Sequence, residues 1–347
     1  MVDTTADPTG TSADRPMRTG ILAAPAWALA LGAILLIGAI LFPLYPGIRF
    51  YYVQVGILIF WFATLSTAWT IIAGYGGMFS IGHAAFVGTG AYTSTLLFVN
   101  FEISPWIGMP IGMVVAAVLA VVIGYPSFRF GLRGDYFALI TIAFGQIALE
   151  VTTGASGITG GSQGIPIRVL GDRPALFQLT DRNWYYFVMM AMWAITVLLV
   201  YRLRRSHFGF QLMAIRDDEA AAARAGIVVS RVKLIAFALS AAICAAAGTF
   251  YAQLFLFIDP LSVFSIDLSI QIILMAVLGG MGSFLGGTLG ALILVPAAQF
   301  LAGALSGTAG ADLMIYGVIL VLLMLFMPYG ILGTLRNAPR WRRVIGW

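Results

Sequence analysis

The sequence is poor in charged residues. Only 10% of its 347 residues are Asp, Glu, Lys or Arg, whereas 61% are hydrophobic. In soluble domains about a quarter of the residues are charged. A soluble core has no room for this much apolar surface, so a lipid bilayer is the solvent in which such a chain is stable.

Cysteine, lysine and histidine are nearly absent, and each scarcity excludes a kind of site. Cys244 is the single cysteine, which excludes intramolecular disulfides and cysteine-rich metal sites. Lys233 is the single lysine and follows Val232, so the chain has no Gly-Lys of a P-loop and any ATP hydrolysis requires another subunit. His83 and His207 lie far apart and form no HExxH motif. We therefore expect no metal and no cofactor in this chain.

The hydrophobic runs predict an all-α polytopic membrane protein with about ten transmembrane helices, within a range of 8–10. A membrane helix needs about 20 apolar residues. The candidate spans are 21–43, 53–73, 84–99, 107–125, 136–153, 184–201, 232–256, 266–280, 285–304 and 313–332. The spans 84–99 and 266–280 are short, so each is a candidate for a broken or re-entrant helix.

The basic residues indicate how these spans are oriented. With the N-terminus in the cytoplasm, 15 of the 19 Arg and Lys residues fall in inside loops or tails, as the positive-inside rule requires. Ten helices then place both termini in the cytoplasm. Because the basic residues lie at helix ends and not on one face, they indicate membrane topology, and no nucleic-acid partner is expected.

The chain is expected to divide into a transmembrane domain at 21–335 and two cytoplasmic tails. Residues 1–20 are rich in Thr, Asp, Pro and Gly and are predicted to be disordered, whereas residues 336–347 are basic. Two loops are long, the Gly-rich extracytoplasmic loop 154–183 and the cytoplasmic loop 202–231, and long loops in compact proteins are usually functional. Residues 160–164 fit the G-x-S-x-G pattern, but that pattern requires a strand-to-helix turn of an α/β sheet, so no catalytic residue is predicted.

A short helix is predicted within the cytoplasmic loop. Asp217, Asp218 and Glu219 suit a helix N-terminus. Four alanines, which are strong helix formers, follow them, and Gly226 is placed to end the helix. Such a stiff cytoplasmic helix suits a transporter that receives force from a separate motor. A solvated connecting helix without a partner is the alternative.

Small and polar residues in 76–92 and in the fifth predicted helix are candidates for a solute pathway. Glycines allow close helix approach, or a broken helix whose freed backbone groups line a path. His83 is either such a pathway group or a packed, hydrogen-bonded residue at a helix interface. Glu150 is expected at the bundle interior or the outer membrane surface, because a carboxylate facing lipid is costly. The candidates are Gly76, Gly77, Ser80, Gly82, His83, Tyr92, Asp135, Tyr136, Thr141, Gln146 and Glu150.

A family resemblance is carried by seven segments in order, 74–86, 88–93, 134–141, 159–165, 206–226, 279–286 and 316–333. Together they resemble the M-type permease subunit of high-affinity branched-chain amino acid ABC importers. Within them, Glu219-Ala220-Ala221 followed by Gly226 resembles the EAA loop by which importer permeases dock in a cleft of the ATPase, with one more residue than usual before the glycine. Tyr329 departs from the family pattern, which usually has a basic residue there.

The resemblance implies a function and a set of partners. The ATPase-coupling element would consist of Arg216, Asp217, Asp218, Glu219, Ala220, Ala221 and Gly226. The implied partners are a homologous second permease subunit, two cytosolic ABC ATPase subunits that bind the ATP, an extracytoplasmic substrate-binding protein and the lipid bilayer of a bacterial cytoplasmic (inner) membrane. The chain itself would be a transport subunit and no enzyme.

Three alternatives to this function stay open. The implied substrate is leucine, isoleucine, valine or another hydrophobic amino acid, but the same superfamily also serves urea, other amides and sugars. A secondary transporter is less expected, because such proteins use intramembrane carboxylates for ion coupling and Glu150 is the main candidate here. A membrane enzyme would need a polar catalytic cluster, which the sequence does not indicate.

Overall fold

A computed structural model describes residues 37–44, 50–132, 134–304, 317 and 330–332. Within these residues the chain is almost entirely helical, and its only sheet has two short strands. Seven helical segments are long and apolar enough to cross a membrane. The predicted all-α polytopic class is therefore confirmed.

The elements follow one another along the chain as α1 (Phe50–Thr70, continuing as a π-helix at Ile71–Tyr75), α2 (Ala84–Phe101), α3 (Pro105–Arg129), α4 (Asp135–Gly154), α5 (Ser156–Thr159), β1 (Ile165–Pro166), α6 (Arg182–Arg205), α7 (His207–Asp217), α8 (Glu219–Arg224), α9 (Val229–Phe255), β2 (Phe257–Ile258), α10 (Pro260–Phe264), α11 (Ile266–Gly279) and α12 (Gly286–Ala304). Short 3-10 turns lie at Phe42–Leu44, Gly161–Gln163 and Pro174–Leu176.

The predicted spans between residues 53 and 304 each match a helix. The first and tenth predicted spans, 21–43 and 313–332, lie mostly outside the described residues, and so do the two tails. The count of ten helices and the cytoplasmic position of both termini therefore stay predictions.

The two short predicted spans differ from each other. The span at 84–99 is one continuous helix, α2, whose 18 residues reach about 27 Å at 1.5 Å per residue. The span at 266–280 belongs to a broken helix, because the extended backbone of Ser265 separates α10 from α11. The Ser265 hydroxyl accepts a hydrogen bond from Leu268 N at 3.2 Å and so begins α11.

The centre of the bundle is formed by α1, α2 and α9. The indole of Trp61 on α1 donates a hydrogen bond to the Ala247 carbonyl on α9 at 2.9 Å. The Thr249 hydroxyl, also on α9, donates to the Gly90 carbonyl on α2 at 3.1 Å. Gly248 lies where a Cβ would overlap the carbonyl of Val87. Small residues thus bring the backbones of α2 and α9 into direct contact, as is common between membrane helices.

The loop 154–183 is an ordered structure at the predicted extracytoplasmic end of the bundle. Its strand β1 pairs antiparallel with β2, with Ile165 opposite Ile258. Phe177 is fully buried and stacks on Trp106 of α3 with ring centroids 4.1 Å apart. The Trp106 indole also donates to the Pro174 carbonyl at 2.8 Å. The Tyr185 hydroxyl of α6 donates to the Phe177 carbonyl at 3.1 Å. These contacts hold the loop against α3, α6 and the end of α9.

Candidate coupling segment and translocation site

The predicted cytoplasmic loop 202–231 contains two helices, α7 and α8, where the sequence predicts one. The chain turns between them at Asp218, whose Oδ1 accepts hydrogen bonds from the backbone N–H groups of Ala220 at 2.9 Å and Ala221 at 3.0 Å. A carboxylate in this N-cap position satisfies donors that the helix leaves open. The predicted helix is therefore present, and its N-cap is Asp218.

The end of α8 also follows the prediction. Gly226 has a φ of +87°, the left-handed conformation that favours glycine. Its N–H donates to the Ala223 carbonyl at 3.0 Å, and the next N–H, of Ile227, donates to the Ala222 carbonyl at 3.1 Å. This pattern is a Schellman motif. Both ends of α8 are thus held by local hydrogen bonds, and the six-residue helix is stiff.

The outer face of α8 is small and exposed. Ala220, Ala221 and Ala223 are exposed, whereas Ala222 is 4% exposed and packs toward the bundle. We call residues 216–226 the coupling segment. Its exposed face offers methyl groups and backbone to a partner, with little side-chain entropy to lose on docking.

Polar contacts of Arg216 and Glu219 join the coupling segment to the membrane bundle. Arg216 Nη1 donates to the Gly74 carbonyl, in the π-helix that ends α1, at 2.9 Å. Lys233 Nζ on α9 lies 2.9 Å from Glu219 Oε2. The Lys233 side chain is 7% exposed and that of Glu219 is 20% exposed, so this ion pair is largely shielded from water. The segment is therefore connected to α1 through one contact and to α9 through the other.

A cleft of about 190 Å³ lies between the coupling segment and the loops that follow α1 and α3. Its lining includes Gly76, Gly77, Arg216, Asp217 and Glu219. Gly77 has a φ of +66°, and a Cβ there would approach Arg216 Cγ to 2.8 Å. The predicted pathway residues Gly76 and Gly77 therefore lie beside the predicted coupling residues.

Two glycines of the loop 74–83 lie against the backbone of neighbouring segments. A Cβ on Gly82 would overlap the Thr141 carbonyl of α4, and one on Gly74 would overlap the Met281 carbonyl. Ile81 N donates to Thr141 Oγ1 at 3.0 Å. These glycines allow neighbouring segments to approach closely. Close approach was one of the two roles that the sequence left open for them, and a broken helix lining a solute path was the other.

His83 belongs to a buried ring of hydrogen bonds. Its Nδ1 is 3.1 Å from Ser80 Oγ, and its Nε2 is 3.0 Å from Ser240 Oγ on α9. The Ser240 hydroxyl donates to the Ala68 carbonyl at 2.8 Å, so Ser240 Oγ accepts from Nε2–H. In a neutral imidazole Nδ1 then accepts from Ser80 Oγ, and both ring nitrogens are used.

This arrangement is that of a packed interface residue joining α1, α2 and α9. A pathway role for His83 and Ser80 stays a prediction. Trp69 of α1 completes the ring, because its indole donates to the Ser80 carbonyl at 2.7 Å.

The remaining candidates are spread along α2 and α4. Tyr92 is buried against Phe264 with ring centroids 5.7 Å apart. Asp135 and Tyr136 are exposed in the first turn of α4. Near the other end of α4, Gln146 Nε2 donates to Glu150 Oε1 at 3.1 Å, and Glu150 is exposed on the face of α4 that no described residue covers. The structure thus does not bring Tyr92, Asp135 and Glu150 into one site.

Lys233 is a candidate that sequence reasoning missed. The sequence contained a signal for it. The chain's single lysine lies in the second turn of α9, on a face whose other residues, at positions 236, 237, 240 and 244, are apolar or small. Such a buried cation requires a partner. Within the described residues, no group of three or more His, Cys, Asp or Glu side chains is arranged to hold a metal ion.

Comparison with known proteins identifies a family. The family described as "Branched-chain amino acid transport system / permease component" matches residues 50–326. The high-affinity branched-chain amino acid transport system permease protein LivM of Escherichia coli is 29% identical over 309 residues, which cover 82% of this chain and 70% of that protein. LivM of Salmonella typhimurium is 30% identical over 291 residues, 77% of this chain and 66% of that protein.

A second kind of permease protein is also similar. LivH of Escherichia coli is 27% identical over 287 residues, covering 78% of this chain and 91% of that protein. A solved structure, PsaBC from Streptococcus pneumoniae in complex with Fab, has a TM-score of 0.47 and 15% identity over 85% of this chain and 94% of that chain.

The family match extends over most of the chain and over all seven candidate spans of the described residues, and it reaches from α1 past the end of α12. This chain is a multi-pass inner-membrane protein that belongs to the family of branched-chain amino acid transport system permease components.

Proposed function

We propose that this chain forms part of the translocation pathway of an ABC importer for branched-chain or other hydrophobic amino acids, with ATP hydrolysis on separate subunits. The observation that carries the proposal is the family match over residues 50–326. The names of the LivM and LivH relatives, which describe branched-chain amino acid transport, support the substrate class.

The coupling segment supports the use of a separate motor. Its exposed alanines lie on a helix whose two ends are held by local hydrogen bonds, and its inner side is joined to α1 and α9. A rigid element of this kind passes a displacement on instead of absorbing it. We propose that the importer has two cytosolic ABC ATPase subunits. One of them docks on the coupling segment of this chain, and the other docks on the second permease subunit.

The face of α4 that no described residue covers supports a second permease subunit. Leu139, Ile147 and Val151 are each more than half exposed on this face, beside the Glu150 carboxylate. A carboxylate directed into lipid is costly, so this face suits a protein partner or a hydrated path. The similarity of this chain to both LivM and LivH accords with a pair of homologous permeases. Gln146 and Glu150 are then our candidates for the pathway at that interface.

The distribution of carboxylates supports an ABC importer over a secondary transporter. Among the described spanning helices, Asp135 and Asp267 lie in first turns and Glu150 lies in the last turn and a half. Asp135 and Glu150 thus lie near the two ends of one span, away from the midplane region in which ion-coupled carriers place their carboxylates, whereas Asp267 lies within the span Pro260–Gly279.

The test is to purify the complex that contains this chain from membranes and to measure ATP hydrolysis in proteoliposomes. A substrate-binding protein loaded with leucine, isoleucine or valine is expected to stimulate hydrolysis and to deliver labelled amino acid to the cytoplasmic side. Stimulation by urea or ribose in place of these would assign another substrate to the same architecture. Absence of any copurifying ATPase would refute the importer.

A matched pair of variants tests the docking face. Ala221→Arg places a long cation on the exposed face of α8, and we expect loss of the ATPase subunits from the purified complex. Ser230→Arg adds the same side chain at another exposed cytoplasmic position, outside the coupling segment, and is expected to retain them. Retention of the ATPase by both variants would place the docking surface elsewhere.

A further inference from the structure

Lys233 occupies a position that a solvated cytoplasmic cation would not take. It lies in the second turn of α9, its side chain is 7% exposed, and its ammonium is 2.9 Å from Glu219 Oε2. The ammonium also lies 5.8 Å from the ring centroid of Phe128 on α3, within cation–π range. Removing one member of a shielded ion pair leaves the other charge uncompensated, which is costly.

The contacts below Lys233 lead from the coupling segment into the bundle. Phe237, one turn further along α9, packs on Phe128, on Phe137 of α4 and on Phe86 of α2, with centroid distances of 6.4, 5.5 and 5.2 Å. Ser240, seven residues beyond Lys233 and on the same face of α9, bonds to His83 and to the Ala68 carbonyl. A displacement of the first turns of α9 would therefore move side chains that contact α1, α2, α3 and α4.

The other link from the coupling segment has a different character. Arg216 is joined to the Gly74 carbonyl, but its side chain is 38% exposed and shared with Asp217. Water and salt screen such a contact. Lys233–Glu219 is the shielded contact of the two, and it connects α8 itself to a central helix.

We propose that Lys233 is the positioning residue of the coupling segment: it holds α8 on α9 through Glu219, so that movement of residues 216–226 becomes movement of α9. This inference rests on the proposed function and deepens it. It assigns Glu219 an inward role as an anchor, and it leaves docking to the exposed alanines of α8.

The experiment compares Lys233→Met, which removes the charge and keeps an apolar stem, with Lys233→Arg, which keeps the charge. Arg231→Met is the matched control, because Arg231 is exposed two residues away on the same helix. In proteoliposomes with equal amounts of assembled complex, the measured quantity is the amount of amino acid transported per ATP hydrolysed. We expect this ratio to fall at least tenfold in Lys233→Met, to recover at least half its native value in Lys233→Arg and to stay native in Arg231→Met.

A native ratio in Lys233→Met would overturn the proposal. This includes the case in which transport and hydrolysis fall in the same proportion, because coupling is then intact and only the amount of working complex has changed.

A second measurement does not depend on transport. Hydrogen exchange of the backbone amides of 219–224 in the purified chain is expected to be at least ten times faster in Lys233→Met than in the native protein or in Arg231→Met. Unchanged exchange would overturn the proposal even if transport fell. If the native complex shows no amino acid-stimulated hydrolysis, the proposed function fails, and the exchange result alone then decides whether Lys233 holds α8.

Discussion

Substitution of Gly248 by alanine is expected to separate the two central helices α2 and α9. A Cβ at this position would overlap the Val87 carbonyl oxygen, and it would lie 2.8 Å from the Val87 carbonyl carbon and 3.1 Å from Ala91 N. All three atoms are backbone, so no rotamer change relieves the overlap. Because carbon atoms pack best at about 3.5–4.0 Å, the helices must move apart by about 1 Å.

The energetic cost has two parts. Overpacking a well-packed interior typically costs about 1–3 kcal/mol. A 1 Å separation also weakens the hydrogen bond from Thr249 to the Gly90 carbonyl, 3.1 Å long in the native protein, whose net contribution is about 0.5–1.5 kcal/mol. We therefore expect Gly248→Ala to lower the free energy of unfolding by about 2–4 kcal/mol.

The assay is reversible unfolding by SDS in mixed micelles, followed by far-UV circular dichroism. Gly154→Ala is the control, because Gly154 is the last residue of α4 and a Cβ there would meet nothing within 4 Å. The control should match the native protein or exceed it by up to about 1 kcal/mol, as expected for Gly to Ala in a helix. A Gly248→Ala protein as stable as the control would refute the close backbone contact of α2 and α9.

Three further predictions concern single residues. Asp218→Ala should free the N–H groups of Ala220 and Ala221 and cost the helix about 1 kcal/mol, seen as faster hydrogen exchange confined to α8; unchanged exchange would contradict the N-cap. Cys244 is fully buried, so a maleimide should label it only after denaturation, and rapid labelling of the folded chain would contradict its position. Gln253 is fully buried and its amide has no hydrogen-bond partner among the described residues, so Gln253→Met should raise the free energy of unfolding by about 1–3 kcal/mol, whereas a loss of stability would indicate a bound water or an undescribed partner.

Local rules account for what sequence reasoning predicted well. The start of α8 among the acidic residues 217–219 and its end at Gly226 depend on neighbours within four residues, so residue types alone were sufficient to predict them. The same holds for the helices between residues 53 and 304, whose apolar lengths meet the needs of a bilayer. The break at Ser265 was indicated only by the shortness of the predicted span.

Contacts distant in sequence account for what was missed. His83 and Ser240 are 157 residues apart, and no periodicity relates them. From the sequence, Glu219 resembles the glutamate of an EAA loop that docks on an ATPase. Only the packing of α8 on α9 shows that its carboxylate faces Lys233 instead. The direction of a side chain on a short helix is decided by its tertiary neighbours, which a single sequence does not reveal.

The pairing of β1 with β2 has a consequence for biosynthesis. Ile165 pairs with Ile258, which the ribosome adds about 90 residues later, or roughly 5–20 s at typical rates of elongation. The loop 154–183 therefore emerges before its partner strand exists, and α6 and α9 must both enter the membrane before the pair can form. If this loop lies on the extracytoplasmic side, as the basic residues predict, the unpaired strand is open to proteases and chaperones there until Ile258 has been added.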